Sequence, residues 1–134
     1  MASKKEYKAA NTAYLNDLTT DPDIQTLPGG VLYRINQYGP TDAPSPKPGS
    51  IVLVHYTGRL INGRIFDSTE NAPCPPALRL KDLITGWQIA LPHMRVGDNW
   101  TLYIPAELGY GPKATDGIPG GSTLIFDIQL IGIA

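Results

Sequence analysis

Two polar positions stand out against an apolar background. Asp67 directly follows Phe66 at the end of an apolar run, and Tyr110 lies between Gly109 and Gly111, where only a loop can hold it. Three aromatics accompany them: Tyr56 alternates with Val52 and Val54, Phe126 lies between Leu124 and Ile128 at the same spacing, and Trp87 falls at a helix start. Each aromatic alone reads as core. With Asp67 and Tyr110 they describe a concave apolar site with a carboxylate and a phenol at its rim, the usual form of a small-ligand pocket. Acid–base and metal chemistry find no support. The only histidines are His55 and His93, and there is no His-Glu-x-x-His, no paired-Cys motif, no phosphate loop and no Gly-x-Ser-x-Gly elbow. Gly109-Tyr110-Gly111 opens like a dinucleotide fingerprint, but position 114 is Ala and the strand-then-helix context is missing. Neither a metal nor a cofactor is expected. His55 reads as structural, and Cys74, between Pro73 and Pro75, as unreactive.

The elements that must position these residues follow from periodicity. Tyr7, Ala10, Tyr14 and Leu18 share one helical side, which predicts an amphipathic helix over 4–19, ended by Thr19-Thr20-Asp21-Pro22. So short a helix is marginal alone and must dock on something. From Val31 the period becomes two, predicting a strand through Ile35, and the prolines at 40, 44, 46 and 48 make the next segment an extended connector. Residues 50–57 predict a strand, Asn62-Gly63 a two-residue turn, and Arg64 to Phe66 the returning arm of a hairpin. A brief strand is expected over 77–80. Trp87, Leu91 and Met94 form a helical stripe that Pro92 should kink or stop, so that helix is placed at about 85–92. Trp100, Leu102 and Ile104 alternate. After a Gly- and Pro-rich loop, Thr123 to Ile133 alternates again. Five or six strands and one central helix make an antiparallel α+β domain with the helix on one face of the sheet.

Composition bounds the function classes. The 134 residues carry 11 Lys plus Arg against 12 Asp plus Glu, a net charge of −1, so no basic excess exists to grip a polyanion and no nucleic-acid partner is expected. Gly 14 and Pro 13 make up a fifth of the chain, yet 42% hydrophobic content is too high for disorder. No apolar run is long enough for a membrane span, and Lys4-Lys5 is not followed by an apolar leader segment. The expected compartment is cytoplasmic, or periplasmic if a leader has been removed.

At the candidate site the chain resembles the FKBP family of peptidyl-prolyl cis/trans isomerases. The matching stretches are Val54-His55-Tyr56-Thr57-Gly58, Gly63-x-x-Phe66-Asp67-Ser68, Leu83-Ile84-x-Gly86-Trp87 with Met94-x-Val96-Gly97, Ile104-Pro105-x-x-Leu108-Gly109-Tyr110-Gly111, and Ile118-Pro119 leading to Thr123-Leu124-x-Phe126-Asp127. Five such stretches in order are highly specific. The segment from Asn11-x-Ala13-Tyr14-Leu15 to Gly30-Val31-x-Tyr33 is similar to what precedes the catalytic domain in bacterial Mip-like and FkpA-like members. In those relatives a longer helical region upstream makes a dimer, and a monomer is the expectation here. The layout implied is an N-terminal helix, linker and extra strand over 1–43 and an isomerase domain over 44–134.

The resemblance implies a half-open antiparallel sheet wrapped around a short helix, with a pocket between them. It implies catalytic roles for Tyr56, Asp67, Tyr110 and Phe126, and substrate-binding roles for Phe66, Leu83, Ile84, Trp87 and Ile118, with Trp87 as the floor. The Ile84 backbone N–H and the Tyr110 phenol would donate to ligand carbonyls. Two departures accompany it. Pro76 and Leu78 stand where relatives often carry aromatics, and no arginine follows Asp67, a place that Arg59, Arg64 or Arg79 would have to fill. The implied activity is isomerisation of Xaa-Pro bonds in unfolded or flexible proteins, with macrolides of the FK-binding type as pocket ligands. The alternatives are a chaperone-like module that binds Pro-containing segments with little turnover, and a structural domain in which these residues are only core.

Overall fold

The computed structural model describes residues 3–134. The first element, α1 (Lys4–Leu18), opens on an N-cap: Ser3 Oγ accepts from the Glu6 N–H at 3.1 Å and donates to the Glu6 carboxylate at 3.2 Å. Its packed stripe is Tyr7, Asn11, Tyr14, Leu15 and Leu18; Ala10, expected on that side, is exposed. The stripe is carried by a polar residue, Asn11, which a hydrophobic pattern cannot register.

Among the described residues, seven strands form one antiparallel sheet. They are β1 (Gln25–Thr26), β2 (Leu32–Gln37), β3 (Ile51–Arg59), β4 (Ile65–Ser68), β5 (Ala77–Arg79), β6 (Asn99–Ile104) and β7 (Leu124–Ile133). Their order is β1-β2-β6-β7-β3-β4, with β5 also on β3. The count exceeds the expected five or six because β1 is a two-residue pairing, Gln25 with Tyr33 and Thr26 with Leu32, too short to leave a period. The outer edge of β3 is split: β5 pairs with Ile51 to Leu53 and β4 with Thr57 to Arg59. The β3–β4 connection is a three-residue loop rather than the two-residue turn expected, because Leu60 pairs back to Arg64 at 2.9 Å and Gly63 takes a left-handed φ of 89°.

Inside the curl of the sheet lies α2 (Thr85–Ala90), and a 3-10 turn over Leu91–His93 ends it at Pro92, as the sequence predicts. Trp87, Leu91 and Met94 are buried against Val52, Val54, Leu102, Ile104, Phe126, Ile128 and Leu130, the inward side of three strands. Gly86 makes this approach possible, since a Cβ there would stand 2.6 Å from Ile104. On the outer face Tyr14, Leu15 and Leu18 of α1 pack on Leu32, Tyr103 and Ile125. The docking that α1 requires is therefore onto this same chain. Among the described residues, no helix is long and apolar enough to cross a membrane.

Candidate functional site

Strand β3 alternates Val52, Val54 and Tyr56 toward the inside, and the first two are fully buried while Tyr56 emerges half-buried at the open end. There it meets residues brought from β4, α2 and β7. The Tyr56 ring stands edge-on to Trp87 (centroids 5.1 Å apart, 88°), and Trp87 stands edge-on to Phe126 (5.2 Å, 88°). Phe66 completes the set against Phe126 (5.6 Å, 85°). Such T-shaped pairs place positive ring edges on negative faces and add about 0.5 to 1.5 kcal/mol each beyond area burial. Trp87 and Phe126 are 3% exposed while Tyr56 and Phe66 are half-buried, so the cluster runs from the core out to the open end of the sheet.

The polar groups lie at that opening. The Tyr56 hydroxyl donates to Asp67 Oδ2 at 2.8 Å, a contact set by the pairing of Asp67 with Gly58, two residues beyond Tyr56. Burial, then the hydrogen bond to Asp67, push the Tyr56 phenol up to about 12. Tyr110 is raised as well, first by partial burial and then by the negative charges of Asp67 and Asp116, which places its phenol within the field of the same carboxylate. Leu83 and Ile84 are half-buried and pack on the core that includes Trp87, as does the buried Ile118. Ile84 is the N-cap of α2, and no hydrogen bond within the described chain uses its N–H. The Trp87 indole N–H is also buried without a protein partner.

Three arginines were candidates to pair with Asp67, and none does. Arg59 binds Asp127 on the outer face, Arg64 donates to the Gly117 carbonyl, and Arg79 approaches Asp82 at 3.9 Å. Alternation decides the first case, because Arg59 faces across β7 to Asp127, which also accepts from Thr101 at 2.7 Å. Asp67 therefore carries its charge at the rim with a phenol, not a guanidinium, as its side-chain partner. His55 hydrogen-bonds Thr69 at 3.1 Å, a structural clasp that also ties the Tyr56 backbone N–H to Thr69 Oγ1 at 2.9 Å. Cys74 is exposed.

One contributor escapes a search for reactive side chains. A Cβ on Gly58 would stand 2.7 Å from both Phe66 and Phe126, so absence of a side chain is what lets the two rings meet. Gly58→Ala is expected to cost about 1 to 3 kcal/mol through overpacking, read as a shifted urea midpoint with unchanged m-value. An unchanged midpoint would show that the rings have room.

The chain matches the family described as FKBP-type peptidyl-prolyl cis-trans isomerase over residues 43–131, and it belongs to that family. It is 40% identical over 130 residues to the outer membrane protein MIP of Legionella longbeachae, covering 96% of this chain and 55% of that protein. It is 38% identical over 122 residues to the peptidyl-prolyl cis-trans isomerase Mip of Coxiella burnetii, covering 90% of this chain and 52% of that protein. The chain thus spans about half the length of these relatives. Among solved structures, a peptidyl-prolyl cis-trans isomerase from Pseudomonas syringae superimposes with a TM-score of 0.90 at 30% identity, covering 100% of this chain and 98% of that one. FkpA from Escherichia coli gives a TM-score of 0.90 at 32% identity, covering 97% of this chain and 60% of that one.

Proposed function

We propose that the chain catalyses cis/trans isomerisation of Xaa-Pro bonds in flexible or unfolded polypeptides. The observation that carries the reading is the aromatic box of Tyr56, Phe66, Trp87 and Phe126, with Asp67 held on the hydroxyl of its half-exposed member Tyr56. Rotation about a peptide bond costs about 18 to 20 kcal/mol because resonance is lost, and Xaa-Pro bonds relax only over tens to hundreds of seconds. The planar amide is strongly dipolar and well hydrated, and the twisted one has less charge separation. A pocket that takes the prolyl ring onto Trp87 and strips water from the amide therefore penalises the planar form, which is differential binding of the transition state.

No proton need move in this scheme. Ile84 N–H and the Tyr110 phenol would donate to peptide carbonyls on either side of the bond, and Asp67 would orient the chain while holding Tyr56. The pH profile follows. Tyr56 has its folded-state value raised from 10.0 to about 12, so its contribution to stability is complete below pH 10 and lost as pH rises toward 12. We expect kcat/KM to be flat between about pH 6 and 9, and the Tyr56 phenolate absorbance to appear only above pH 10. A bell-shaped profile centred near neutrality would point to proton transfer and against this mechanism.

The direct test is isomerisation of Suc-Ala-Xaa-Pro-Phe peptides, with apolar Xaa varied, with and without a macrolide such as rapamycin. Acceleration that the macrolide abolishes is expected. Macrolide binding without acceleration would replace the enzyme by a module that holds Pro-containing segments. A location in the cell envelope belongs to the same proposal, favoured over a cytoplasmic one by a relative named as an outer membrane protein; fractionation of the native cell checks it.

A further inference from the structure

We propose that α1 belongs to the catalytic apparatus, with Tyr7 and Asn11 as positioning residues for the loop that carries Tyr110 and Ile118. The inference rests on the pocket assigned above. That loop, 105–123, has few apolar anchors and turns sharply: Gly111, Gly117, Gly121 and even Asp116 have positive φ, at 75°, 78°, 80° and 44°. Between Ala106 and Gly121 its hydrogen bonds to itself include the backbone pairs Gly111 N–H to Ala106 at 2.8 Å, Gly121 N–H to Gly111 at 3.0 Å, and the mutual pair of Thr115 and Ile118. Such a segment keeps its shape only if its ends are held.

Strand β7 and α1 hold the returning end together. The Thr123 N–H donates to Asn11 Oδ1 at 2.7 Å, while Asn11 Nδ2 donates to the Tyr7 carbonyl at 2.8 Å. Only one orientation of the amide makes both bonds, so the side chain is a fixed strut between helix and loop end. The Ser122 hydroxyl donates its single proton to the Pro119 carbonyl at 2.6 Å, so the Tyr7 phenol is the donor in its 2.7 Å bond to Ser122. Asn11, Ser122 and Thr123 are 3%, 3% and 1% exposed, so the bonds are made out of water and a lost partner leaves a desolvated group unpaired.

These tethers end beside the pocket. Pro119 is the neighbour of Ile118, and Gly111, held by Gly121, is the neighbour of Tyr110. Elsewhere the helix and the loop stand apart, around an open groove of about 780 Å³ bordered by Lys4, Lys8, Pro112 and Lys113. The helix thus grips the loop at points rather than along a packed face, and those points act together with the Arg64 bond to the Gly117 carbonyl in setting where two pocket residues stand.

Tyr7→Phe removes one hydroxyl and is the decisive variant; Asn11→Ala removes the strut. In the full chain, with a Suc-Ala-Xaa-Pro-Phe peptide, Tyr7→Phe is expected to lower kcat/KM about fivefold and Asn11→Ala about tenfold or more, chiefly through KM. Tyr7→Phe combined with Ser122→Ala should lose no more than the greater single effect, since both break one tether. Amide exchange at Ile118 and Gly121 should quicken about tenfold while β3 and β7 amides keep the wild-type rate. Tyr7→Phe with kcat/KM within twofold of wild type would overturn the inference, as would exchange that quickens across the whole sheet. A wild-type chain without isomerase activity would instead overturn the pocket reading, and loop exchange would still decide whether α1 holds the loop. If Asn11→Ala does not fold, Tyr7→Phe alone decides.

Discussion

Phe126→Ala is expected to be the most damaging single truncation in this chain. The ring touches Trp87, Phe66 and Tyr56 together, at centroid distances of 5.2, 5.6 and 6.2 Å, and is 3% exposed. Removing it deletes a buried aromatic, at about 3 to 5 kcal/mol, and frees three neighbours that each stand edge-on to it. For a domain of this size that corresponds to a fall in Tm of about 10 to 20 °C. Activity should vanish with it, so the informative comparison is Phe126→Leu, which refills much of the volume. The leucine variant should recover most of the Tm while kcat/KM stays at least about tenfold down. Full activity in the leucine variant would mean that ring geometry at this position has no part in catalysis.

The second large effect separates the other way, with activity lost and stability kept. Asp67 is exposed, and its side-chain partner is the Tyr56 hydroxyl. Asp67→Ala is therefore expected to leave the Tm within about 2 °C of wild type, as for surface substitutions generally, and to lower kcat/KM by about tenfold or more, about 1.4 kcal/mol of transition-state stabilisation. Asp67→Asn retains an acceptor for Tyr56 without the charge. If Asn restores activity, Asp67 acts by holding the phenol; if it does not, the charge itself is required. Unchanged turnover in Asp67→Ala would remove this residue from the mechanism. The absence of a pairing arginine sharpens the contrast, because Arg59, Arg64 and Arg79 are all engaged elsewhere.

Much of this architecture is legible in the sequence because one face of each long strand is buried. Val52-Val54-Tyr56 and Leu124-Phe126-Ile128-Leu130 announce their inward side by alternation, and the stripe of Trp87, Leu91 and Met94 with Pro92 announces a helix that must stop. What remained hidden depends on register or on polar burial. The short β1 leaves no period, and Asn11 reads as a surface residue although it is 3% exposed. The Tyr56–Asp67 contact needs the β3–β4 register, and the fates of the three arginines need the partner faces, neither of which composition or spacing supplies. Gly58 is seen in the sequence only as part of a pentapeptide, and its reason, space for two phenyl rings, exists only once the strands are paired. The roles proposed for Leu83, Ile84 and Ile118 rest on family resemblance, since as sequence they are ordinary apolar residues.

The placement of β7 has a consequence for how such a chain is made. β7 is central, pairing with β6 over Asn99 to Ile104 and with β3 over Val52 to Arg59, yet it occupies 124–133. During synthesis β3 and β6 emerge long before the strand that joins them, each with an unpaired edge and an apolar face. The sheet closes only when residue 133 has cleared the ribosome, because its pairings are nearly all long-range. A nascent chain stopped before Thr123 would hold two disconnected three-stranded pieces, β1-β2-β6 and β3 with β4 and β5, rather than a smaller domain, open to aggregation. A protein proposed to speed the folding of others therefore cannot complete its own central sheet until β7 has emerged.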